Sequence, residues 1–168
     1  MRYQFFSNTT YFVTYKTCNN GSYYFSDEEK DIILSKLLEA RSKFIPGLKA
    51  FAILSNHYHL LIENVDSRAA QKFFQLLNGG SSFIINKDKN SKFNYWGIQD
   101  RINWPVKTEG KFFQFLAYVV ANPWRHGLVR EISDLKGYRY CNYDQVCEDY
   151  GEAFIQDLIL NRIKKDDE

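Results

Sequence analysis

Two of the chain's three histidines stand two residues apart, in Asn56-His57-Tyr58-His59. Side chains two apart on a strand leave the same face, so both imidazoles could reach one cation. Taken alone, such a pair is more often two polar residues on an exposed sheet face; the spacing is necessary for a metal site but not specific to it. A second pair, Tyr118 and Asn122, is four residues apart and so shares one face of a helix. At about 100° per residue that face also carries Lys111, Gln114 and Ala121, with Phe115 at its edge. Phe112, Phe113, Leu116, Val119 and Val120 form the opposite, apolar face. Tyr118 is therefore expected on the polar side, although on the helix alone a core tyrosine is an equally good reading.

Together the pairs describe one chemistry. A divalent cation held by two imidazoles and an amide oxygen polarises a phosphodiester oxygen. A phenol then attacks the phosphorus, forms a phosphotyrosine and releases a 3′-hydroxyl. That hydroxyl can later attack the same linkage and rejoin strands. Other machineries find no support, since the chain has no GxSxG, no Walker-type loop and no dinucleotide-binding glycine loop.

The histidines need a strand and the tyrosine a helix. Residues Tyr11 to Thr17 read as a first strand, Phe12, Thr14 and Lys16 alternating against Tyr11, Val13 and Tyr15. Ser26 with Glu29 makes a capping box for a helix carrying Ile33, Leu37 and Phe44, which stops before Pro46-Gly47. Leu48 to Leu54 and His57 to Glu63 read as a hairpin around Ser55-Asn56, with Tyr58, Leu60 and Ile62 turned into a helix-covered core. Ser67 is expected to cap a second helix carrying Phe73, Phe74 and Leu77 until Gly79-Gly80 interrupts it. Ser81 to Pro105 reads poorly; Phe93, Tyr95 and the stretch near Trp104 are the candidates for a further strand. The third helix is expected from about Gly110 to Asn122, ended by Pro123. A last helix is expected from Gly151 to Lys164, with Phe154, Ile155, Leu158 and Ile159 buried and the tail Lys164–Glu168 solvated.

The order strand, helix, strand, strand, helix, strand predicts an α+β fold: a ferredoxin-like split βαβ antiparallel sheet with helices on one face, plus an added nucleophile-bearing helix. The 168 residues suit a single catalytic domain spanning 1–168.

Composition narrows the partners. Net charge is only +2, short of what wholesale binding of duplex DNA usually shows. Aromatic content is 17%, and such rings fill cores or stack on unpaired bases. Trp96, Trp104 and Trp124 are open to either use. Three cysteines without a CxxC indicate neither a disulfide framework nor a zinc finger and fit a cytoplasmic protein. The longest apolar run, Phe115 to Ala121, is far too short to span a bilayer.

The stretch Ala52 to Ile62 resembles the histidine-hydrophobe-histidine strand of the HUH-class single-strand DNA transposases. The stretch Tyr118 to Val129 resembles the nucleophile helix of their REP-associated tyrosine transposase branch, with Tyr118, Asn122, Pro123, Arg125, Gly127, Leu128 and Val129 matching position for position. Phe93–Gly97 and Gly137–Tyr140 look like weaker flanking segments of that family. The resemblance implies that His57, His59 and Asn122 are metal ligands and Tyr118 the nucleophile. Arg125 and Lys111 are the candidate DNA contacts, a surface or helix-end arginine being the competing reading of Arg125. It further implies a divalent Mg or Mn ion, single-stranded DNA beside a hairpin as partner, no membrane, and a monomer or homodimer. Two imidazoles and an amide suit Mn²⁺ better than Mg²⁺. Leu54-Ser55 stands where the family has Met-Pro, and Trp124 and His126 replace its common Val and Ala. The alternative, from another class, is a domesticated module that binds a DNA or RNA hairpin without cutting it.

Overall fold

The computed structural model describes residue 5 and residues 8–163, apart from the side chains of residues 20, 64, 65 and 98–101. The element order is β1 (Thr9–Thr17), a single turn α1 (Cys18–Gly21), α2 (Asp27–Phe44), β2 (Leu48–Ile53), β3 (His57–Val65), α3 (Ser67–Phe74), a π turn (Gln75–Gly79), α4 (Gly80–Asp88), β4 (Trp96–Val106), α5 (Glu109–Arg125), a 3₁₀ turn (Ile132–Leu135), α6 (Tyr143–Tyr150) and α7 (Glu152–Arg162). The four strands form one antiparallel sheet in the order β2-β3-β1-β4. This is the expected split βαβ topology, with β3 in an interior position. No described helix is long and apolar enough to cross a membrane.

Strand alternation sorts the core into two layers. One face of the sheet sends Tyr11, Val13, Tyr15, Phe51, Ile53, Tyr58, Leu60 and Ile62 against α2 and the α3–α4 helix. The other sends Phe12, Ala50, Ala52 and Leu61 against α5, with α6 and α7 packed behind it. The fold class is thus as expected, and α5 is the added helix on the opposite face. Ser26 accepts the Glu29 N–H while the Glu29 carboxylate accepts the Ser26 N–H, so the capping box at α2 forms as its sequence predicts.

Several local readings differ. Asp66, not Ser67, caps α3, its carboxylate accepting from the Arg68 and Ala69 N–H groups. The helix does not stop at Gly79-Gly80 but passes through a π turn there. A Cβ on Gly80 would lie 3.2 Å from the Lys36 side chain, so the glycine lets α4 approach α2 closely. The stretch from Ser81 to Pro105 holds the end of that helix and all of β4 but its last residue, Val106. Pro105 disguised β4, yet it is tolerated because β4 is an edge strand that, among the described residues, is laddered to β1 alone. Pro123 does not end α5, which runs two residues further. It lies so near the C-terminus that the His126 and Leu128 N–H groups still reach the Asn122 and Pro123 carbonyls. Phe154 is 43% exposed while Ile155, Leu158 and Ile159 are buried. α6 had no sequence reading. The tail Lys164–Glu168 lies outside the described residues.

The segment Tyr140–Asn142 closes the other edge of the sheet. The Ile53 N–H donates to the Tyr140 carbonyl at 2.8 Å, and the Asn142 amide bridges the Phe51 N–H and the Lys49 carbonyl. One sheet edge is therefore capped by the chain itself, and among the described residues β4 forms the other edge.

Candidate functional site

His57 and His59 leave β3 on the face that carries α5, as their spacing predicts, with ring centroids 4.8 Å apart. Across the sheet, Lys16 pairs with His57 and Thr14 with His59. Tyr118 descends from α5 onto this row, its ring 5.4 Å from His59 and 5.6 Å from Phe12, edge to face in both cases. On the face read as polar, Tyr118 and the edge residue Phe115 reach Phe12 of the sheet, while Phe112 and Phe113 of the apolar face meet Tyr150 of α6 and Phe154 of α7. Between α5 and the sheet lies a cleft of about 800 Å³. Its walls include Thr14, Lys16, His57, His59, Tyr118 and Arg125.

Each imidazole is oriented through Nδ1. The Asn56 amide nitrogen donates to the Gly21 carbonyl at 2.8 Å, which turns its Oδ1 toward His57 Nδ1 at 2.7 Å. Nδ1 of His57 is then the donor, and the neutral ring keeps its lone pair on Nε2. Gly21 has φ +86°, and a Cβ there would stand 3.1 Å from the Asn56 amide nitrogen, so a glycine is what this contact accommodates. His59 Nδ1 shares a 2.8 Å hydrogen bond with Thr14 Oγ1. Partners of this kind on the second ring nitrogen are what fix a metal-binding imidazole.

The electrostatics agree. His59 is only 4% exposed and stacks on Phe12. Burial, and then the charges of His57, His126, Arg125 and Lys16, hold its pKa well below the ordinary 6.5, so it is neutral and able to donate a lone pair at neutral pH. It lies on the ligand face, as the alternation requires, but is buried there. No Asp or Glu lines the cleft among the described residues, and Lys16 and Arg125 do, which makes it a site for anions. The Arg125 guanidinium lies 4.6 Å from the centre of the Tyr118 ring, a cation–π contact that holds the phenol in place.

Asn122 is placed differently. It is fully buried and does not line the cleft. Its amide nitrogen donates to the Tyr118 carbonyl at 2.6 Å, while its Oδ1 is buried with no hydrogen-bond partner. A buried acceptor without a donor is destabilising by about 1–3 kcal/mol, and such an atom is a natural ligand for a cation. Among the described residues no three His, Cys, Asp or Glu side chains form a metal-holding group. By donor chemistry the two imidazoles and an amide oxygen suit a divalent ion, but Asn122 Oδ1 lies outside the lining of the cleft that holds the imidazoles. Cys141 and Cys147 lie away from the cleft, and burial pushes the Cys141 thiol up to about 12.

Lys111 is exposed and stands outside the cleft wall, its ammonium donating to Gln114 Oε1 at 2.9 Å; Gln114 itself lines the cleft. Trp96 is 3% exposed, packed among Tyr15, Phe25 and Tyr58, and so serves the core. Trp124 is half-buried against the α5 layer. Trp104, 58% exposed, borders the cleft. His126 was passed over in the sequence and yet lines the cleft, its ring 5.2 Å from that of His57. A helix read as ending at Pro123 gave no signal for it; His126 reaches the cleft because α5 continues to Arg125 and His126 caps its end.

No family model matches the chain, and no curated protein matches it. Among solved structures it is similar to a REP-associated tyrosine transposase bound to a REP hairpin, with TM-score 0.62 and 15% identity over 86% of this chain and 82% of that one. It is also similar to a bacterial tRNA(His) guanylyltransferase-like protein in complex with GTP, with TM-score 0.51 and 11% identity over 75% of this chain and 64% of the other. The ATP complex of such a protein gives TM-score 0.51 and 10% identity over 98% of this chain and 73% of the other. At these identities the likeness is one of fold. An architecture does not carry its chemistry with it, so function has to be argued from the cleft.

Proposed function

We propose that the chain is a metal-dependent single-stranded DNA endonuclease and strand transferase, a transposase-type enzyme that cleaves beside a hairpin with Tyr118 as nucleophile. One observation carries this reading: a phenol and two oriented imidazoles meet in a single cationic cleft, with Tyr118 5.4 Å from His59 and His57 4.8 Å from His59. The solved structure of similar fold with a REP hairpin bound supports a hairpin-bearing DNA as partner.

His57, His59 and Asn122 would hold a divalent ion, Mn²⁺ or Mg²⁺, which when bound polarises a phosphodiester oxygen. Tyr118 Oη attacks the phosphorus; the new O–P bond forms as the bond to the 3′-oxygen breaks. The phenolic proton passes through solvent to the departing 3′-oxygen, which becomes the 3′-hydroxyl, and the 5′-phosphate stays on Tyr118. Arg125 holds the ring and faces the phosphate. Thr14 and Asn56 keep both imidazoles turned. Because the phenol and both imidazoles come from one chain, a monomer suffices.

The experiment is incubation with 3′-labelled single-stranded DNA from the gene's own flanks and Mn²⁺ or Mg²⁺. The expected product is a protein–DNA adduct that survives denaturation, is lost in Tyr118→Phe, and maps to Tyr118. The seclusion of Asn122 behind the cleft wall favours a second reading, a hairpin-binding module that does not cut. Tight hairpin binding with no adduct on that DNA establishes the second reading and refutes the first.

A further inference from the structure

The cleft is much larger than one phosphodiester and is chemically two-sided. Lys16, His57, His59, Arg125 and His126 gather at one side. Ile102, Trp104 and Phe115 gather at the other. Strand register places these sides side by side. His59 on β3 is level with Thr14 on β1, and Thr14 with Ile102 on β4. The next row runs Leu61, Phe12, Trp104. From β3 to β4 is two strand spacings, roughly 10 Å, which is the scale of a nucleotide from phosphate to base.

The aromatic side is built but uncovered. α5 lies over β2 and β3 and leaves the outward residues of β4 bare, Ile102 at 39% and Trp104 at 58% exposure. Phe12 and Phe115 stack at 4.5 Å and 7°, forming a fixed floor. The edge of that floor meets Trp104 at 6.4 Å, nearly perpendicular. Trp104 is thus steadied on one side and open to the cleft. A bare tryptophan continuous with a cationic anion site has the two surfaces that a single strand presents, phosphate and base.

We propose that Trp104, flanked by Ile102 and Phe115, is a stacking shelf for an unpaired DNA base next to the phosphate held at the histidines. This deepens the nuclease reading and rests on it for the identity of the strand. Stacking uses a base's π-face and is tolerant of sequence, so the shelf selects unpaired over paired nucleotides rather than one base over another. In a duplex that face is occupied by neighbouring bases.

The test uses full-length protein in the Tyr118→Phe background with chelator, so binding is read without cleavage. The probes are a DNA hairpin with a single-stranded oligothymidylate tail and the same hairpin with an abasic tail of equal length. Removing the bases should weaken binding by about tenfold. Trp104→Ala should weaken binding of the thymidylate tail by about the same factor and leave the abasic tail unaffected, and Trp104→Phe should recover most of the loss. Because Trp104 is exposed, the thermal midpoint of Trp104→Ala should match that of its parent. Equal losses on both tails, or no loss on either, overturn the shelf. Adduct formation separates the two ideas: base-dependent binding through Trp104 in a chain that forms no adduct leaves the shelf standing and sinks the nuclease. An adduct whose yield is indifferent to Trp104 and to tail bases does the reverse.

Discussion

The two faces of the sheet are built from the same strands and end as different materials. On β3, Tyr58, Leu60 and Ile62 go to one side and His57, His59 and Leu61 to the other. The first side is closed by α2 and the α3–α4 helix; there Tyr58 Oη donates to Asn78 Oδ1 and Trp96 Nε1 to Ser81 Oγ, while the Asn103 amide, level with Val13, is buried without a partner. The second is half closed, because α5 spans β2 and β3 and leaves β4 open. Half coverage puts a buried, neutral imidazole beside a wet, cationic mouth. A sheet face fully covered would have had no cleft, and one left bare would not have desolvated His59.

The sharpest way to break this contrast is to truncate neighbours on β3. Leu60→Ala should lower unfolding stability by about 2–5 kcal/mol in urea titration, through the cavity it leaves. His57→Ala should lower it by only about 1 kcal/mol, the worth of one hydrogen bond, and should reduce adduct formation by more than ~100-fold. If the two variants lose stability equally, the faces do not differ as described.

The pH dependence of stability sharpens it next. With chelator present, His59 is neutral in both folded and unfolded chains above about pH 6.5, and its share of stability is complete. Below that the unfolded chain takes up a proton that the folded one, with its lowered pKa, refuses. Stability should therefore fall as pH drops from about 6.5 toward the folded value and level off beneath it. His59→Gln should flatten that fall; an unchanged profile would mean that His59 is not secluded.

Smaller effects should come from the groups that aim the imidazoles. Thr14→Val and Asn56→Ala remove the partners of His59 Nδ1 and His57 Nδ1. Each should weaken Mn²⁺ binding by about 10- to 100-fold in a calorimetric titration. An unaltered affinity would show these bonds to be merely structural. The smallest effect should be that of Lys111→Ala, whose ammonium lies outside the cleft wall. DNA binding should weaken about twofold at low salt, with a salt slope reduced by no more than about 1. A loss as large as that of Arg125→Ala would move the phosphate path toward the start of α5.

Much of this was legible in the chain because it is local. Alternation on β1 and β3 placed each side chain on its face, since a strand's period of two admits no other assignment. Ser26 and Glu29 marked the start of α2 for the same kind of reason. What misled was punctuation whose effect depends on context. Gly79-Gly80 and Pro123 read as breaks, yet the helix continues through both. Pro105 hid a strand that is permitted only because it is an edge.

The sequence by itself determined which residues share a face: His57 with His59, and Tyr118 with Asn122. Spacing within one helix or strand is enough for that. Only the tertiary structure decided which faces meet. The Tyr118 side of α5, which looked polar, is turned onto the sheet, which brings Tyr118 to His59, while Asn122 is buried and Trp104 stays exposed. No local pattern carries that information, because α5 has two faces to bury. Which one meets the sheet is settled by where α6 and α7 pack, and they follow only at Tyr143–Tyr150 and Glu152–Arg162, beyond the end of α5.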